Sequence, residues 1–179
     1  GLVVSCLLAG LVSQELHAQK KPIQVRWWRG SFDAAMTEAN ERNVPLLIAV
    51  THDGEEANDR IIEDVFSKKA FVKVTESTIP MMANKDFHDT KTVELGGHKR
   101  EVCTKIGGCT CIQHQNIESE VYEHFFRKTD GVKTPQVMIC KPNLDLIERI
   151  IDVGSPSQYR DAVKKARKTM GPGISAKDS

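Results

Sequence analysis

The residues best suited to chemistry lie in one stretch, "CTKIGGCTCIQH", which runs from Cys103 to His114 and holds Cys103, Cys109, Cys111 and His114. Three chemistries fit that set: a reactive thiol, a metal centre and a disulfide clasp. Thr110-Cys111-Ile112-Gln113 has the capping-box pattern of a helix start. With Thr110 as N-cap, Cys111 opens the helix and His114 lies three residues further on the same face. The positive helix end and a neighbouring imidazolium both favour thiolate over thiol, so Cys111 is the candidate nucleophile and His114 its tuning partner. Cys103 or Cys109 would resolve a mixed disulfide. Cys103 is sterically the easier, because a Cys-x-Cys bridge closes a small, strained ring.

The same four side chains, Cys103, Cys109, Cys111 and His114, form a candidate ligand set for Zn or Cu(I). Their spacing is not a standard zinc-finger spacing, and His88 and His98 are near enough in sequence to contribute. In the clasp reading a structural disulfide pins a long segment and His114 is solvated. Cys140, inside the apolar run "VMIC", reads as a buried free cysteine.

The elements that must position these residues follow from periodicity and punctuation. Pro22 to Trp28 reads as a first strand, and Ser31 caps a helix with Phe32, Ala35, Met36 and Ala39 on one face. Val44 to Val50 is a continuous apolar run of the kind buried on both faces of a sheet. A second helix is expected from about Glu55 to Phe71, then a strand in "TIPMMAN", then an irregular stretch from Lys85 to Gly108. A third helix carries Ile117, Val121 and Phe125. Two strands follow, joined by a turn at Pro142-Asn143. A last helix is capped by Ser155 with Pro156 at its first position, and Tyr159, Ala162, Val163 and Ala166 form its buried stripe.

This order of elements resembles that of thioredoxin. "SFDAAMTEANERNVPLLIAVTHDGEEANDRIIEDVFSKKAFVKV" resembles the first half of exported thioredoxin-like domains, and "GVKTPQVMIC" the segment bearing the family's cis-proline, here Thr134-Pro135. The resemblance implies a three-layer α/β/α sandwich with a mixed sheet over residues 22–169. A Cys/His-containing insertion, about residues 85–114, would precede the third helix. It also implies that Thr134 and Pro135 position substrate beside the reactive sulfur. The family's CxxC falls on Glu55-Glu56-Ala57-Asn58, where there is no cysteine. The chemistry is therefore expected in the insertion, which follows a parallel strand and so belongs at the carboxyl edge of the sheet.

Leu2 to Val12 reads as the apolar core of a signal peptide ending near Ala18, and residues 170–179 as a flexible tail. Export to a periplasmic or extracellular space follows, with membrane attachment only if the leader is retained. The formal charge is +1, and loss of Glu15 with the leader would make it +2, from 25 basic and 23 acidic residues. Neither value favours nucleic acid. The expected activity is thiol–disulfide exchange or redox sensing with protein thiols or disulfides as partners and no cofactor. The alternatives are a protein that binds or delivers Zn or Cu, and a non-catalytic binding module with a structural disulfide.

Overall fold

Leu46–Val50 (β1) lies at the centre of the sheet because every one of its side chains is apolar and buried. Leu46, Ile48 and Val50 point into one apolar layer and Leu47 and Ala49 into the other, the period-2 alternation of a strand covered on both faces. β1 pairs in parallel with Ile79–Ala83 (β2) and antiparallel with Gln136–Cys140 (β5), which pairs antiparallel with Leu146–Ile151 (β6). The sheet order is β2-β1-β5-β6, a mixed sheet. This computed structural model describes residues 24–172 except Gly96. The expected leader over residues 1–18, and residues 173–179 of the expected tail, lie outside the described residues.

Helices close both faces. Phe32–Glu41 (α1), capped by Ser31, and Cys111–Phe125 (α4) cover one face through Phe32, Ala35, Ala39, Ile117 and Val121. The other face is covered by the Glu56–Arg60 helix (α2) with its π-helical continuation Ile61–Phe66, by Lys69–Thr75 (α3), and by Pro156–Met170 (α5). The stripe expected on α5 (Tyr159, Ala162, Val163 and Ala166) is the buried one, and Tyr159 meets Phe71 edge-to-face. Each apolar layer is one continuous cluster, so the three-layer α/β/α sandwich is as expected.

Three elements differ from the sequence expectation. Pro22–Trp28 is not a strand within the described residues: Trp28 N–H donates to Pro80 O at 2.7 Å, but Pro80 has no N–H to return. The expected second helix breaks at Ser67, whose hydroxyl bonds Glu63 O, and Lys68 is extended. The apolar spacing runs on across that break, through Val65, Phe66, Phe71 and Val74, which hides it in the sequence. The segment expected to be irregular contains an antiparallel hairpin, Thr90–Leu95 (β3) with His98–Cys103 (β4). Gly96-Gly97 between two strand-compatible runs is a hairpin signal, and Gly97 has φ +82°.

Candidate functional site

The insertion brings four side chains together from three places. His88 lies in the connection from β2 to β3, Cys103 is the last residue of β4, and Cys111 and His114 occupy the first turn of α4. Their ligand atoms all lie within 4.8 Å of one another. Cys103, Cys111 and His114 are essentially fully buried. The first turn of α4 is fixed by the expected capping box: Thr110 Oγ1 accepts from Gln113 N at 3.3 Å, and Gln113 Oε1 accepts from Thr110 N at 2.9 Å.

Cysteine 109 lies outside this foursome. Its backbone carbonyl accepts from Cys103 N at 2.7 Å, and burial pushes its thiol up to about 12. His88, which the spacing marked only as a possible addition, takes the fourth place; His98 stays exposed on the hairpin. Cys103, Cys109, Cys111 and Cys140 are all free thiols, and Cys140 is buried in the opposite apolar layer.

The approach to α4 depends on glycine. Gly107 and Gly108 both have positive φ, +67° and +66°. A Cβ on Gly108 would stand 2.5 Å from Val25 O, so the loop passes against the chain's first described residues at backbone contact. Arg29 braces it, donating from Nη1 to Gly108 O and from Nη2 to Glu101 O, both at 3.2 Å.

Hydrogen bonds define both imidazoles. His114 Nδ1 lies 2.6 Å from Asn84 O, a group that can only accept, so Nδ1 carries the proton. Its Nε2 is then a lone-pair nitrogen, buried with no partner among the described residues. Burial depresses the His114 pKa even against the Asn84 bond, which disfavours the imidazolium expected beside Cys111. His88 Nε2 lies 3.1 Å from Asp53 Oδ2, which places its proton there and turns Nδ1 toward the sulfurs. That Nδ1 is 3.3 Å from Cys103 Sγ and 3.9 Å from Cys111 Sγ.

Backbone groups close around the sulfurs. Ile106 N–H donates to Cys103 Sγ at 3.4 Å, and His88 N–H donates to Cys111 Sγ at 3.3 Å. Against these, burial raises the Cys111 pKa, and the Cys103 sulfur adds to the rise. The thiolate expected at the helix start is thus opposed by desolvation, the effect that spacing alone does not carry.

The site stands at the carboxyl edge of the parallel pair β1 and β2, where Thr51 and Asn84 are bonded at 3.0 Å. At the same edge Thr134-Pro135 is a cis peptide. Glu55 and Asn58 begin the helix after β1: Asn58 Nδ2 donates to Thr134 Oγ1 at 3.2 Å and to Glu55 Oε2 at 3.3 Å. Among solved structures, one described as the DsbH oxidoreductase aligns over 87% of this chain and 95% of its own, with a TM-score of 0.51 at 15% identity. The fold is thioredoxin-like. No family model matches the chain, and no curated protein matches it. On this thioredoxin-like frame the strand-to-helix junction after β1 has no sulfur, and the described sulfurs that share a site are Cys103 and Cys111.

Proposed function

We propose that the protein is a thioredoxin-fold metal protein in which His88, Cys103, Cys111 and His114 hold one ion. The observation that carries this reading is His114 Nε2, a buried lone pair with no partner among the described residues, in a group of four ligand atoms within 4.8 Å. A buried, unpaired nitrogen is costly, and an ion removes that cost. Tetrahedral zinc at ordinary bond lengths needs ligand atoms spaced about 3.3–3.8 Å apart, so small closing movements suffice. Two thiolates and two neutral imidazoles around a divalent cation also sum to zero charge, as a buried site requires. Four protein ligands leave no open position for a substrate, which is the design of a resident rather than a hydrolytic ion. Cu(I) is the other ion suited to this donor set.

Thiol–disulfide exchange is the second reading, and it uses the same sulfurs. Its support is the close approach of Cys103 to Cys111, which opens α4, together with the likeness to a protein described as an oxidoreductase. There Cys111 would attack a partner disulfide and Cys103 would resolve it, with Thr134 and Pro135 near the substrate. The apolar run Leu2–Val12 supports an exported setting for either reading.

Native mass spectrometry of protein purified without chelator separates the two. One bound Zn or Cu, with all thiols alkylated after denaturation and chelation, is the expected result. A metal-free protein lighter by two hydrogens, with a Cys103–Cys111 link in the peptide map, would overturn the metal reading in favour of exchange.

A further inference from the structure

His88 is held from behind by a side chain of the strand-to-helix junction, the part of the fold that lacks the dithiol. Asp53 Oδ2 is 3.1 Å from His88 Nε2, and Asp53 Oδ1 is 2.8 Å from Lys105 Nζ. Lys105 Nζ also lies 2.7 Å from Asp59 Oδ1. Resting on the metal reading above, we propose that Asp53, locked by Lys105, is a positioning residue of the centre, which orients His88 so that Nδ1 meets the ion.

The chemistry of each partner supports this. A carboxylate only accepts, so it fixes the proton on Nε2 and frees the Nδ1 lone pair. A carboxylate behind an imidazole ligand also makes the ligand nitrogen a stronger donor. Lys105 is two residues beyond Cys103, so the loop that supplies a sulfur also supplies the lock. With Oδ1 occupied by that ammonium, Asp53 stays behind His88 and does not become a ligand itself. The other imidazole has a different brace, the backbone carbonyl of Asn84, so only His88 depends on a side chain that substitution can remove.

The test is chelator competition for Zn(II) on the full chain, with Co(II) spectra as a second readout. Asp53→Ala and Lys105→Met should both bind Zn(II) more weakly, the former by about 10–100-fold, the usual range for such outer partners. Asp53→Glu should recover part of the loss. In Asp53→Ala the sulfur-to-cobalt charge-transfer band should persist while the ligand-field bands shift, as expected when one imidazole loosens and both thiolates stay. Zn(II) affinity within twofold of wild type in both loss variants would overturn the proposal and leave the metal reading standing. So would losses matched by equal falls in the metal-free melting temperature. Wild type that takes up neither ion would overturn both.

Discussion

Asn58 and Thr134 are joined side chain to side chain, Nδ2 to Oγ1, at 3.2 Å. The bond ties the first turn after β1, where the resemblance to thioredoxin would put a dithiol, to the cis Thr134-Pro135 peptide. Asn58 is fully buried, and its Oδ1 also accepts from His52 N at 3.1 Å. This place holds a polar network that satisfies itself and no sulfur, so this part of the edge is a brace.

Removing that brace should cost stability rather than metal. Asn58→Ala empties a fully buried position, leaves the part-buried His52 N–H without its acceptor and takes one of the two partners of Thr134 Oγ1, which keeps His52 Nδ1 at 3.3 Å, at about 1–3 kcal/mol. Urea unfolding should give a lower midpoint with an unchanged slope. An Asn58→Ala variant as stable as wild type would show that the network is not a brace.

Gly108 should tolerate no side chain. Its φ is +66°, and an added Cβ would meet Val25 O at 2.5 Å and Trp27 Cδ1 at 2.9 Å. Gly108→Ala therefore combines a disfavoured backbone conformation with a backbone clash, at about 2 kcal/mol or more. Gly131 also has positive φ, +96°, but open space around it. Gly131→Ala should cost only about 1 kcal/mol. Thermal melts of the pair measure the difference, and equal losses would refute the close approach.

Alkali should unfold the protein through Cys109, whose thiol burial pushes up to about 12, and equally through two groups far from the insertion. Burial pushes the Cys140 thiol and the Tyr159 hydroxyl each up to about 12. Both ionise more easily unfolded, near 9 and 10. Above those values the folded state holds protons that the unfolded chain has lost, so stability falls as pH rises toward 12. Each group contributes a slope of about 1.4 kcal/mol per pH unit across that window. Urea midpoints from pH 8 to 11 should decline from about pH 9, and Tyr159→Phe should flatten the upper part. A flat profile would mean that none of the three groups stays protonated in the folded protein.

Local patterns made the sheet, both capping boxes and the α5 stripe legible, because Leu46–Val50, Thr110–Gln113 and Ser155–Gln158 carry their signals within one element. The site was legible only in part. Cys103, Cys111 and His114 lie close in sequence, but His88 joins them by the return of the β3–β4 hairpin, and Asp53 reaches His88 from 35 residues earlier. No spacing rule encodes such a meeting. The exclusion of Cys109 and the unpartnered His114 Nε2 are likewise facts of burial and orientation.

The ion should matter most to the hairpin. β3 and β4 form their own two-stranded sheet with mostly exposed side chains, and an isolated pair of strands is marginal in water. Its two ends are anchored by His88 and Cys103, so closing the centre should fasten both ends at once. Metal at about 100-fold above its dissociation constant adds about 2.7 kcal/mol, or about 5–10 °C in melting temperature for a domain of this size. Hydrogen exchange should find the amides of residues 88–110 protected in the metal-bound protein and fast after chelation, while β1 and β5 stay slow in both. His114→Ala should abolish the metal-dependent protection and the thermal gain together. Hairpin exchange that ignores metal in wild type would separate the ion from the fold of the insertion and sink this prediction.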